Sequence, residues 1–344
     1  MLVTASCSSA TPGGSSDGGA GGSDNGSNPA GGAEAGAAGG GDAEATTGSD
    51  GGEGKSDAGG AHGDSGVPIT DAGTHDAGPT GPLVGSDHCA SATVIPLTTV
   101  NSHVELMADT TAATHDVEAP CTADSGADVF YQFTVSKHVF LYADTFGASW
   151  NTVLFLLSGS CTPITTGTTA GDSVCNDTAC GTSQSQIVAL LAPGSYRLGL
   201  GGSSGATGAA TIHFEFALAP SGASAPLPQG MSQQSGTTVG VSGNVNNQSS
   251  SCVAAGPENG YWWTSCPSDP GGQLTASTCG GATWETLLET EIPRSHPYAC
   301  ALDSCGMQTA LSTTIPAGAG LHLLMIDGQA GTSAGAYTMQ VNRP

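Results

Sequence analysis

Basic residues are the scarcest class in this chain: five Lys and Arg stand against 29 Asp and Glu, a formal net charge of −24 over 344 residues. After residue 85, eighteen acids face only Lys137, Arg197, Arg294 and Arg343, leaving −14. So few cations cannot neutralise a run of phosphates, which excludes nucleic acid and anionic lipid surfaces as partners. Long apolar runs are also missing. No stretch approaches the ~18 consecutive apolar residues of a membrane-spanning helix. Aromatics are absent from the first third of the chain, and Phe130 is the first to appear. Through about residue 84 the composition is Gly, Ala, Ser, Asp and Thr. Such a segment has too little apolar surface to offset its chain entropy, so residues 7–84 are expected to be a disordered tether. As a flexible coil that tether would reach about 50 Å.

What is present comes after it. Residues 85–344 carry every aromatic and ten of eleven cysteines, enough for two cores of ordinary size. Runs such as Val129–Val135, Phe140–Ala143, Thr152–Leu156, Tyr196–Leu200 and Thr211–Phe216 are short, rich in β-branched and aromatic residues, and separated by turn residues. That pattern predicts an all-β sandwich or barrel with helix confined to very short stretches.

The second half echoes the first. Trp150-Asn151-Thr152-Val153-Leu154 answers Trp284-Glu285-Thr286-Leu287-Leu288, and Cys175-x4-Cys180-Gly181 answers Cys300-x4-Cys305-Gly306. The Pro193–Leu200 run answers Pro316–Ile326, and Gly208–Ile212 answers Gly335–Met339. The expected organisation is a first antiparallel sandwich at 85–219, a Pro/Gly/Ser linker at 220–230, and a second sandwich at 231–344.

Two family resemblances follow from these residues. Ala5-Ser6-Cys7, followed by a Ser/Gly-rich run, resembles the end of a bacterial lipoprotein signal, although no basic or full apolar segment precedes it and Thr4 stands where Leu is usual. The resemblance implies that residues 1–6 are the remnant of a signal peptide and that Cys7 carries a lipid, an anchor rather than a span. The ordered set Asp128–Phe133, Trp150–Leu154, Cys175-Asn176-Asp177-x-x-Cys180, Pro193-Gly194-x-Tyr196 and the closing Gly208-x-x-Thr211 resembles the bacterial pre-peptidase C-terminal domain. It covers 86–218 well and 230–344 more weakly, with Ala301-Leu302-Asp303 in place of Asn176-Asp177-Thr178 and Asn259 in place of Asp128. It implies a jelly-roll-like accessory module, without catalysis, in an exported protein.

The domain cysteines split five and five: Cys89, Cys121, Cys161, Cys175 and Cys180, then Cys252, Cys266, Cys279, Cys300 and Cys305. Their number points to disulfides in an oxidising compartment. Five cannot close internally, so either one bridge joins the domains or each domain keeps a free thiol. Cys89–Cys121, and Cys161 with Cys175 or Cys180, are the expected internal pairs. Zinc is the rival use, but the spacings do not match its paired short knuckles. No cofactor is expected. Calcium is the one opening, through Asp128, Asp144, Asp172 and Asp177 near the Cys175–Cys180 loop, with a solvated acidic loop as the plainer reading.

Gly-x-Ser-x-Gly occurs at Gly201–Gly205 and Gly331–Gly335, but between strands, where a hydrolase elbow needs a strand-to-helix turn. Tyr261-Trp262-Trp263 is the densest aromatic cluster. Aligned on Phe130-Tyr131-Gln132, it would present Tyr261 and Trp263 together on an outer face as a ligand platform; the opposite register, or cover from the Pro267–Gly272 loop, would bury them. These readings converge on an exported protein, outer-membrane-anchored or extracellular. It would be a non-enzymatic binding or adhesion module for polysaccharide, cell-wall polymer or a cell-surface protein. A passive accessory pair beside an exported enzyme is the alternative, and a secreted hydrolase the third.

Overall fold

The computed structural model describes residues 83–97, 102–168, 171–220, 222, 224–241, 248–249, 252–253, 255–294 and 299–344. Cys7 and the tether up to residue 82 lie outside the described residues, so the lipid anchor stands as an expectation.

Ten strands build the first sandwich: β1 (Leu83–Val84), β2 (Thr93–Val94), β3 (Ser102–Asp109), β4 (Val129–Val135), β5 (Val139–Asp144), β6 (Thr152–Ser158), β7 (Cys175–Asn176), β8 (Gln186–Leu191), β9 (Gly194–Gly202) and β10 (Ala209–Leu218). Sheet β1-β3-β10-β5-β8 faces sheet β2-β4-β9-β6-β7. The second comprises β11 (Ser224–Pro226), β12 (Gly230–Thr237), β13 (Gln248–Ser249), β14 (Cys252–Val253), β15 (Asn259–Ser265), β16 (Gly272–Ser277), β17 (Thr286–Glu291), β18 (Ala299–Leu302), β19 (Ala310–Ile315), β20 (Gly320–Gly328) and β21 (Ala336–Arg343). There β11-β15-β20-β17-β18 faces β12-β21-β16-β19, and β13 pairs β14 in a separate ribbon. The one described helix is a 3₁₀ turn at Cys89–Ser91. The fold is all-β and jelly-roll-like, as its strand pattern predicts.

Three details correct the expected layout. The short entry strands β1, β2 and β11 lie parallel to their neighbours, so the sheets are not purely antiparallel. Leu83 and Val84, expected in the tether, pair with Leu106 and Met107. The expected linker is largely structural: Ser224–Pro226 forms β11 on β15, and Leu227 is buried in the second core. Backbone pairing and a buried leucine outweigh the turn-forming composition that suggested a free connection.

Apart from β1 and the β13–β14 ribbon, the two sandwiches share one strand order. Thr145 and Thr152 share a hydroxyl–hydroxyl bond of 2.6 Å, and Thr278 and Thr286 one of 2.7 Å. The Trp150 indole N–H donates to the Ala209 carbonyl at 2.9 Å, and that of Trp284 to Ala336 at 3.0 Å. Gln184 bonds the Ala148 carbonyl as Gln308 bonds that of Ala282. Each set closes the corner where a chain leaves one sheet for the other, satisfying polar groups that would otherwise be buried unpaired.

Both cores follow period two. In β4, Val129, Tyr131, Phe133 and Val135 point into the first core while Phe130 packs outward. The outer side of that sheet is sealed by the entry segment around Cys89, Ala92 and Ala119. Gly199 is required there, because a Cβ would meet the Phe155 ring at 2.4 Å. β20 is buried along its whole length, since it is central and covered on both faces.

The sandwiches pack sheet against sheet within one compact unit. Phe140, Tyr142, Val188, Ala217 and Ala219 of the first meet Trp262, Leu321 and Leu323 of the second. Five disulfides form: Cys89–Cys161, Cys121–Cys175, Cys180–Cys266, Cys252–Cys300 and Cys279–Cys305. The odd count per domain resolves by a bridge between domains, Cys180–Cys266. The expected internal pairs Cys89–Cys121 and Cys161 with Cys175 or Cys180 do not form. The entry segment crosses the outer sheet face and brings Cys89 to the loop after β6 instead.

Candidate functional site

The backbone registers correct the alignment behind the aromatic platform. Tyr131 lies opposite Leu198, and Tyr261 opposite Leu324, so Tyr131 and Tyr261 are equivalent. A one-residue slip in a strand swaps its faces. Tyr261 and Trp263 therefore point into the second core, 6% and 4% exposed, and no platform forms. Trp262 turns outward and is covered by the first sandwich, tilted on Phe140 at 5.9 Å.

Trp263 nonetheless reaches a cleft of about 330 Å³ at one end of the second sandwich. Its walls include Gln229, Ser265, Asp269, Pro270, Ile315, Pro316 and Arg343. Here the repeats diverge. Phe133 pairs with Tyr196 in the first sandwich, and Trp263 with His322 in the second. Phe216 lies opposite Ser102 as Arg343 lies opposite Gly230. Where the first copy has Phe133, Val135, Tyr196 and Phe216, the second has Trp263, Ser265, His322 and Arg343. The first copy plugs its end with stacked rings, Phe133 on Tyr196 at 5.9 Å. In the second copy that end is polar.

The polar groups are held in place. The Trp263 ring is stacked on His322 at 5.0 Å, and the Arg343 guanidinium lies 5.5 Å from its centroid. Arg343 Nη1 donates to the Leu227 carbonyl, while its buried Nε has no partner. Burial draws the Arg343 pKa down, opposed by the negative charge of Asp269. Asp269 is positioned by accepting the Cys266 amide at 2.7 Å, and Cys266 is anchored by the bridge to Cys180.

Ser265 and His322 form a 2.7 Å hydrogen bond beside this cleft. Ser265 Oγ also donates to the Gly318 carbonyl at 2.6 Å, so its proton points away from the imidazole. His322 Nε2–H is then the donor to Ser265, and the buried Nδ1 has no partner. Burial, then Arg343, lowers the His322 pKa to about 4, so the ring is neutral at neutral pH. Activating a serine needs the opposite polarity, with an acid orienting the far ring nitrogen. No acid is hydrogen-bonded to His322 Nδ1, so that orienting partner is missing.

The other sequence candidates are dispersed. Asp128 accepts the Asp116 and Val117 amides in its own loop, and Asp172 accepts that of Thr168. Asp144 lies at the domain interface, bonded to Arg294 at 2.6 Å and His213 at 2.9 Å. The four aspartates are not brought together as calcium ligands, and among the described residues no group of three or more His, Cys, Asp and Glu is placed to hold a metal. His213 is half-buried at this interface. Sequence reasoning passed over Ser265, Asp269, His322 and Arg343. A position-by-position comparison of the repeats would have exposed them.

No known protein-family profile matches the chain, and no curated protein matches it. Solved structures give distant likenesses. The CUB1-EGF-CUB2 region of human MASP-1/3 aligns at 9% identity over 70% of this chain and 99% of that one, with a TM-score of 0.19. The rat MASP-1 counterpart aligns at 10% identity over 70% and 97%, with a TM-score of 0.18. A triple jelly roll protein from an archaeal virus aligns at 11% identity over 62% and 54%, with a TM-score of 0.20. Likeness at this level carries no functional argument.

Proposed function

We propose that this chain is a non-catalytic extracellular binding module, made of two pre-peptidase C-terminal-like sandwiches on a lipid-anchored tether, and that it engages carbohydrate or cell-wall polymer through the cleft of the second sandwich. One observation carries the reading: the repeat exchanges an apolar plug for Trp263, Ser265, His322 and Arg343 around a cleft. Of these, Trp263, Ser265 and Arg343 line the cleft; a charged group at a core end costs stability, and a ligand-facing role for Arg343 accounts for it. Five disulfides suit an oxidising, exported setting.

Retention of the full chain on polysaccharide and bacterial cell-wall matrices tests this. The wild type is expected to be retained, and Arg343→Gln to weaken retention about tenfold, the effect of losing one charge-assisted hydrogen bond. A wild type retained on no matrix would favour the passive accessory role.

The Ser265–His322 pair supports a second reading, a hydrolase. A fluorophosphonate probe decides between them. The proton placement predicts no labelling of Ser265, and stoichiometric labelling lost in Ser265→Ala would establish the enzyme.

A further inference from the structure

We infer that the cleft takes one uncharged sugar residue, a chain end or branch, in preference to a uronic acid or other anionic sugar; this deepens the binding reading above and rests on it. Size comes first. About 330 Å³ is at the lower end of the ~300–1,000 Å³ typical of small-molecule sites, room for a single ring rather than a run of them. The walls suit a sugar's two kinds of surface. Pro270 and Pro316 offer apolar area for C–H faces, and Asp269 and Arg343 offer an acceptor and a donor for hydroxyls.

Charge sets the preference. Arg343 is the only cation among the residues lining the cleft, and Asp269 is close enough to act on it electrostatically. The site is therefore near neutral inside a folded region of net charge −14. An anionic ligand would meet Asp269 at close range and a repulsive field on approach. A hydroxyl pair satisfies both side chains, donating to Asp269 and accepting from Arg343. The Ser265 hydroxyl has no proton left to offer a ligand, since it donates to the Gly318 carbonyl.

The experiment is calorimetric or NMR titration of the full chain with neutral methyl hexosides and neutral oligosaccharides, against glucuronic acid and polygalacturonate oligomers, at low and at high salt. Asp269→Asn and Arg343→Gln are run in parallel, with thermal unfolding as the control for folding. Asparagine keeps an oxygen that can accept the Cys266 amide. Expected are binding of at least one neutral sugar, little dependence on salt, and an affinity loss of about tenfold in each variant. A uronic acid bound more tightly than its neutral counterpart overturns the inference and leaves the binding module standing. So does Arg343-sensitive retention on cell wall with no affinity for any neutral sugar. Absence of both sugar binding and cell-wall retention overturns the two together.

Discussion

Arg294 compensates two carboxylates that have no exposure to water. Its Nη2 donates to Asp144 and its Nε to Glu215, both at 2.6 Å, while the guanidinium lies 5.8 Å from the Tyr142 ring. Burial pushes the Asp144 carboxyl up, but the His213 bond and the Arg294 charge hold it below its ordinary value. Glu215 is carried by burial to about 7 despite Arg294. Removing one member of a buried pair strands the other, so Arg294→Ala is expected to cost about 3–5 kcal/mol, measured by urea unfolding. Arg294→Lys should recover only part of this, because one ammonium cannot fork to both acids.

The outer faces of the two equivalent sheets were built differently. β6 lines its face with Val153, Phe155 and Leu157, whereas the matching positions of β17 are Leu287, Glu289 and Glu291. Gly201 of β9 corresponds to Asp327 of β20. Burial, then Glu289, raises the Glu291 pKa to about 8; burial, then Glu289 and Glu258, raises that of Asp327 to about 8. The sign follows from linkage. A carboxyl with a raised folded pKa binds its proton better when folded, so its contribution is complete below the unfolded value near 4 and is lost as pH rises through about 8. The melting temperature should therefore fall between pH 5 and pH 9. Glu291→Gln should reduce that fall by roughly 5 °C, read by calorimetry across the range. An unchanged slope in the variant would remove Glu291 from the explanation.

At the scale of the whole molecule, the sandwiches are coupled by the apolar contact around Trp262, by the Arg294 clamp and by the Cys180–Cys266 bridge. The bridge exists because the first repeat lacks a counterpart of Cys279. Thr145 and Thr278 are equivalent corner residues, so Phe146 occupies the place of Cys279. Cys305 pairs with Cys279 inside its own domain, and Cys180, lacking such a partner, reaches Cys266. The bridge closes a loop with a sequence separation of 86. The double variant Cys180→Ser, Cys266→Ser is expected to stay folded on the other two contacts and to lose about 4 kcal/mol. Adding Trp262→Ala should separate the transition into two, seen as distinct calorimetric peaks.

The all-β class, the repeat, the disulfide setting and the choice between an interdomain bridge and two free thiols were legible along the chain, because period-two patterning, repeated landmarks and an odd count are local or arithmetic properties. The sequence by itself did not determine strand register, cysteine partners or which polar residues share a cleft. Tyr261 and Trp263 show why: a slip of one residue leaves the pattern unchanged and exchanges the buried face for the exposed one. Trp262 makes the same point, since an outward face reads as solvent until a second sandwich covers it. Asp269, His322 and Arg343 are 53 and 21 residues apart along the chain, and only the packing of two sheets and the closing of Cys180 on Cys266 brings them to one end of the molecule.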